Sequence, residues 1–208
     1  MPSTTTPSSD KTSKSMFAIP EMIVAIAFFA AAIVIAVGAS FGGIELARLV
    51  RDPAAIYKYP SYIGFFSHIG VALMTSTMAI TGFAAIVGRN NASEFQLILG
   101  AVAALSGLLI IDDVFMLHEA ASRLGEVAIY GVYGLLGMLI WLRLRTVSDQ
   151  YDIRGFKVAL FFLGLSVFTD IFKIYGPFAH WLEDFSKLSG FAAWLAFWAR
   201  FAAHSLKP

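Results

Sequence analysis

Residues 95–119 read FQLILGAVAALSGLLIIDDVFMLHE. The apolar run from Phe95 to Ile111 has the composition of a helix in hydrocarbon, and with its flanks it approaches the roughly 20 residues that such a crossing needs. Four ionisable side chains, Asp112, Asp113, His118 and Glu119, sit at its end. A charged group at that depth is expensive unless it is paired, protonated or turned toward a wet cavity, so carboxylates here mark a functional site by default. One stretch thus sets both the class of the fold and the region in which to look for function.

The same character extends outward along the chain. Of 208 residues, 58% are hydrophobic and 14% charged, and the mean hydropathy is +0.74, too apolar for a soluble core of this size. The reading is an all-α, polytopic transmembrane bundle. Residues 1–15, rich in Ser, Thr and Pro, have too little apolar content to fold and are expected to form a disordered tail. The remainder, 16–208, is expected to be a single membrane domain. The first apolar run, from Met22 to about Ile44, is longer than the roughly 7–15 residues of a signal-peptide core, so an uncleaved first span is expected. About six spans follow: Pro20–Leu46, Ser61–Val87, Phe95–His118, Gly125–Leu142, Phe156–Tyr175 and Leu188–Ala203. Turn chemistry at Arg51-Asp52-Pro53, Tyr59-Pro60, Gly88 to Asn91 and Gly176-Pro177 separates them. Gly100, Gly107, Gly131, Gly134 and Gly137 are read as small faces for close helix approach.

Six spans place both termini on one side, together with Arg89, Arg143, Arg145, Arg154 and Lys157. The positive-inside rule makes that side cytoplasmic, in a cell membrane. Asn91-Ala92-Ser93 would then face the cytoplasm and be an accidental match to a glycosylation acceptor. The polar residues of the spans fall on the opposite, extracytoplasmic half. His68 lies about 10 Å below the boundary at Ser61, and Asp112, Asp113 and Asp170 come at similar depth. A wetter layer holds Glu45, His118, Glu119, Glu183, Asp184 and Lys187.

On a continuous third helix, Asp112 and Glu119 share a face, whereas Asp113 and His118 diverge. Adjacent carboxylates in a low dielectric do not both ionise without help, so a metal, a basic partner such as Lys173 or Arg123, or one protonated Asp is expected. In a metal reading, His68, Asp112 and Asp170 are the ligands of a divalent ion such as Zn, Fe, Mn or Cu, and Asp113, His118 and Glu119 are the candidate catalytic groups. An alternative ligand set is His118 with Glu119 and Glu183. The same chemistry also reads as structure. Glu45 with Arg48, Asp170 with Lys173, and Glu183 or Asp184 with Lys187 have helical ion-pair spacing, and His68 reads equally as a packing histidine.

Several functions are excluded. Zero Cys removes thiolate chemistry, and a net charge of +1 argues against nucleic acid. No GxSxG, P-loop or dinucleotide glycine pattern occurs, the third span lacks the second His of a zincin helix, and there is no pair of His boxes. The tryptophans Trp141, Trp181, Trp194 and Trp198 are read as interfacial belt residues, and Phe65-Phe66, Phe161-Phe162 and Phe191 as candidates to line a groove for a lipid or pigment.

Three functions remain open. The first is a metal-dependent hydrolase or oxidoreductase acting on a lipid or other hydrophobic substrate. The second is a small non-catalytic subunit that packs with partner subunits of a larger membrane complex, with unpaired acids facing lipid. The third is a proton or cation transporter, which needs a polar path toward the cytoplasmic half, where the second span offers only Thr75, Ser76, Thr77 and Thr81.

Overall fold

A computed structural model describes residues 18–45, 48–49, 56–60, 62–88, 94–148, 151–172 and 177–206, with the side chains of residues 18–21, 119 and 177–180 outside the description. The amino-terminal tail, the Arg51-Asp52-Pro53 turn, the Asn91-Ala92-Ser93 tripeptide and Lys173 lie outside it too. The chain divides into two compact units, residues 1–63 and 64–208.

In the first unit, α1 (Ala18–Phe41) is an unbroken apolar helix of 24 residues with its described side chains almost wholly exposed. A segment with so little polar chemistry can satisfy its backbone in hydrocarbon only by bonding within itself, which the helix does. Just beyond it, Glu45 and Arg48 pair at 3.9 Å in solvent, as their i,i+3 spacing predicts.

The second unit holds α2 (Phe65–Val87), α3 (Glu94–Phe115), the single turn α4 (Leu117–Ala120), α5 (Arg123–Thr146), α6 (Arg154–Ile171) and α7 (Pro177–Ser205). All regular structure among the described residues is helical. Four helices, α1, α2, α3 and α5, are long and apolar enough to cross a membrane. The other two long helices are interrupted by charge: Lys157 and Asp170 on α6, which also starts at Arg154, and Glu183, Asp184, Lys187 and Arg200 on α7. α7 also starts eleven residues before the Leu188 expected from hydropathy, at a Pro whose fixed φ suits the first turn of a helix.

α7 is the centre of this unit, packed along α6 on one side and α2 on the other; α2 packs on α3, and α3 on α5. Its buried residues Phe191, Trp194, Phe197, Trp198 and Phe201 recur at three- and four-residue steps, which puts them on one face. Phe156 of α6 inserts among them, with ring centroids 5.5 Å from Trp194 and 5.7 Å from Phe197 and Trp198. The belt expectation for Trp194 and Trp198 is thereby corrected: they are 2% and 0% exposed and form the core. Among helices in lipid, association draws on van der Waals packing rather than on water release, and large flat rings supply much contact area. Trp181, 64% exposed, remains at the surface.

The glycines divide into two groups. At Gly190 of α7 a Cβ would sit 3.0 Å from the backbone nitrogen of Leu163, so this glycine is what lets α6 lie against α7. At Gly131, Gly134 and Gly137 of α5, and at Gly164 of α6, a Cβ would meet nothing within 4 Å. Those on α5 were expected to bring helices together; instead they border open space.

Candidate functional site

α3 does not continue to His118. It ends at Phe115, and Met116 takes a left-handed conformation (φ 49) before the chain winds one further turn as α4. The break turns His118 back toward Asp112. Because the chain folds back on itself, the His118 backbone N–H donates to Asp112 Oδ1 at 2.9 Å, and its ring Nδ1 lies 3.0 Å from Asp112 Oδ2. One carboxylate thus holds both the main chain and the imidazole of the turn. Ser122 then caps α5, its Oγ accepting from the Gly125 N–H at 3.3 Å.

Two more carboxylates are paired across helices. Asp113 bonds Lys187 of α7, although the helical spacing of Lys187 had pointed to Glu183 or Asp184. Asp170 of α6 accepts from the Tyr130 hydroxyl of α5 at 2.5 Å. Asp112, Asp113 and Lys187 have side chains 6%, 12% and 36% exposed. The partner foreseen for the adjacent acids is therefore a base, supplied by Lys187 and His118 rather than by Arg123, which is exposed.

These pairs close one end of a cavity of about 620 Å³ walled by α3, α5, α6 and α7 and by His118 of α4. On α5 the wall is Tyr130, Tyr133, Gly134, Gly137, Met138 and Trp141, a single stripe at three- and four-residue steps. Facing it on α6 are Lys157, Leu160, Gly164, Val167 and Asp170, and α7 adds Glu183, Lys187, Phe191 and Trp194. α5 and α6 are consecutive, yet they touch chiefly at the two ends of this space. Tyr130 bonds Asp170 at one end, and at the other Trp141 stacks on Phe156 at 5.8 Å with Lys157 lying 5.7 Å from the Trp141 ring centre. Between them Gly134, Gly137 and Gly164 leave an apolar slot. From Lys157 to Asp170 it runs about 20 Å, at 1.5 Å per helical residue.

Residues 22–201 match the family model described as Domain of unknown function (DUF8692). The chain belongs to this family. The matched stretch contains every residue of the cavity wall, so the cavity is a feature of the DUF8692 region itself. No curated protein and no solved structure matches the chain.

Of the sequence-derived candidates in this DUF8692 protein, Asp112, Asp113, His118, Asp170, Glu183 and Lys187 come together at the polar end. His68 does not. It lies in the first turn of α2, with its N–H donating to the Gly64 carbonyl at 2.9 Å and its ring exposed beside Gly64. α2 packs on α3 and α7, and contributes nothing to the cavity wall among the described residues. The Glu119 side chain lies outside the described residues. Hence His68, Asp112 and Asp170 are not gathered as one donor set, and no group of three or more His, Asp or Glu side chains poised for a metal occurs among the described residues.

Several hydroxyls of the helices are satisfied within their own helix. Ser76, Thr77 and Thr81 donate to carbonyls one turn back at 2.8, 3.0 and 2.7 Å, and Thr169 does likewise at 3.1 Å. These hydroxyls stitch their own helices and do not extend the acidic end across the bundle. Trp194 Nε1 donates to Ser106 Oγ at 3.3 Å in the wall midway along. Sequence reading missed Tyr130 and Tyr133; the signal was present as Tyr130-x-x-Tyr133-Gly134-x-x-Gly137, one face of an otherwise apolar helix.

Proposed function

We propose that this protein is a membrane enzyme that takes an amphipathic molecule into the cavity, its apolar part between α5 and α6 and its polar group at the carboxylate end. In this reading His118, oriented by Asp112, moves a proton on that group. One observation carries the proposal: a long apolar slot ends in three carboxylates, each held by a partner from another segment of the chain. Binding sites for small hydrophobic molecules have this make-up, mostly apolar walls with a few convergent polar groups. A carboxylate bonded to the Nδ1 side of an imidazole fixes its tautomer and orientation, which leaves Nε2 placed to take up or give a proton.

The proposed topology is six crossings with both termini cytoplasmic, and the carboxylate end in the extracytoplasmic half. Its support is the basic cluster at the opposite end of α5 and α6, where Arg143 faces Glu94 at 3.4 Å and Arg154 pairs with Asp152 at 2.8 Å. The locally satisfied hydroxyls of α2 favour an enzyme over a transporter, because they offer no continuation of the polar path.

Two measurements test the reading. Bromoundecanol, whose bromine quenches nearby indoles, is expected to quench Trp141 and Trp194 in phosphatidylcholine nanodiscs, and a Gly134→Leu/Gly137→Leu variant to lose that component. Lipid extracts from cells expressing wild type and His118→Gln are expected to differ in at least one species by mass spectrometry. Equal quenching in wild type and the leucine variant, or identical lipid profiles, would overturn the corresponding half of the proposal.

A further inference from the structure

The acids at the polar end of the cavity are already engaged. Asp112 holds His118, Asp113 bonds Lys187, Asp170 accepts from Tyr130, and Glu183 is not free either. A charged head group arriving there finds its countercharges taken. An ammonium would crowd Lys187, an anion would meet the carboxylates, and in a water-poor site an ion without a partner is costly to bury. What this end keeps is hydrogen-bonding capacity. An ammonium carries three N–H donors and a carboxylate about four lone-pair sites, and the bond between Lys187 and Asp113 uses one of each. Both side chains line the cavity and are 36% and 12% exposed, so the pair presents a donor and an acceptor side by side where the apolar slot ends. The smallest head group that uses both is a hydroxyl, which accepts through its oxygen and donates through its hydrogen.

Resting on the cavity reading above, we propose that the substrate class is a long-chain alcohol, its hydroxyl seated on the pair of Lys187 and Asp113 and its chain in the slot bordered by Gly134, Gly137 and Gly164. The hydroxyl oxygen accepts from the Lys187 ammonium, and the hydroxyl donates to the Asp113 carboxylate. It is then the group on which His118, held by the neighbouring Asp112, moves a proton. A site built to bond a hydroxyl rejects analogues that lack it, because its own polar groups are left unpaired. An ether of the same chain can take only the bond from Lys187, and an ammonium or carboxylate head brings a charge that the paired groups do not balance.

The test is displacement of bromoundecanol from the wild-type protein in neutral phosphatidylcholine nanodiscs by dodecanol, dodecyl methyl ether, dodecylamine and dodecanoate, compared at equal mole fraction in the bilayer. Dodecanol is expected to displace the quencher at least about tenfold better than each of the other three. Asp113→Leu/Lys187→Met removes donor and acceptor together without leaving a charge unpaired, and is expected to bring dodecanol and the ether within about twofold of each other. Both displacers are measured on the same protein, so weaker binding of the quencher cancels. If the ether, the amine or dodecanoate displaces as well as dodecanol from wild type, or if the double variant keeps the tenfold preference, the alcohol assignment fails and the cavity reading survives. If quenching is insensitive to Gly134→Leu/Gly137→Leu, the cavity reading fails and takes the alcohol assignment with it.

Discussion

Replacing Lys187 by Met should expose how much the carboxylate end depends on its cross-helix pairs. Lys187 bonds Asp113, which is 74 residues away in sequence and has a side chain only 12% exposed. Breaking a buried pair by removing one member costs about 3–5 kcal/mol, because the remaining charge is left without compensation. Lys187 is itself 36% exposed and partly screened by solvent, so about 2–3 kcal/mol is the fitting figure here. For a chain of this length that lowers Tm by about 4–12 °C. Asp113→Asn/Lys187→Met removes both charges and should return to within about 1 kcal/mol of wild type. The assay is a double-mutant cycle by thermal unfolding in one detergent, with Lys187→Met, Asp113→Asn and the pair measured side by side. A coupling below about 0.5 kcal/mol, the range expected of independent sites, would refute the pairing.

Three further outcomes follow from the same structure. Trp198→Ala should cost about 3–5 kcal/mol in unfolding assays, since Trp198 is 0% exposed, whereas Trp181→Ala at a 64% exposed position should cost less than about 0.5 kcal/mol. Met116→Gly should stabilise the protein by up to about 1 kcal/mol, because Met116 occupies a left-handed conformation that glycine adopts at no steric cost; a loss of stability would mean that the Met side chain matters more than the backbone. Asp152, in the connection before α6, has its carboxyl held down at about 2 by hydrogen bonds from the Arg154 side chain and backbone. Its folded-state pKa is depressed, so whatever stability it contributes is present above the ordinary carboxylate range and is lost as pH falls through about 2; Arg154→Gln should bring its NMR titration midpoint back toward about 3.9.

Hydropathy located the helices because membrane crossing is a property of composition over some 20 residues, and that is written locally in the sequence. The acid pair was legible for the same reason, as an energetic exception within an apolar run. What escaped was whatever depends on the path of the backbone or on distant partners. No Gly, Pro or Asn announces the break at Met116, yet that break turns His118 onto Asp112, a pairing that helical spacing did not offer. Local ion-pair spacing directed Lys187 toward its own helix, while packing delivered it to α3. His68 belongs to α2, which packs on α3 and α7 but adds no described residue to the cavity wall. The tryptophans of α7 were taken for belt residues because composition alone cannot distinguish an interfacial ring from one buried between helices; their spacing, at Trp194 and Trp198 with Phe191, Phe197 and Phe201, carried the answer. The glycines of α5 were assigned to close packing, the commoner use in membrane helices, when the neighbouring helix in fact stands away from them.

The chain contains no Cys, so single cysteines report their surroundings without interference. The most direct measurement of the slot between α5 and α6 is the rate at which N-ethylmaleimide modifies Gly134→Cys and Gly137→Cys, with and without bromoundecanol, against Val132→Cys and Leu135→Cys, whose positions are 52% and 61% exposed and do not line the cavity. Protection by bromoundecanol at Gly134→Cys and Gly137→Cys alone is the predicted result. Equal protection at all four positions, or none at any, would contradict it.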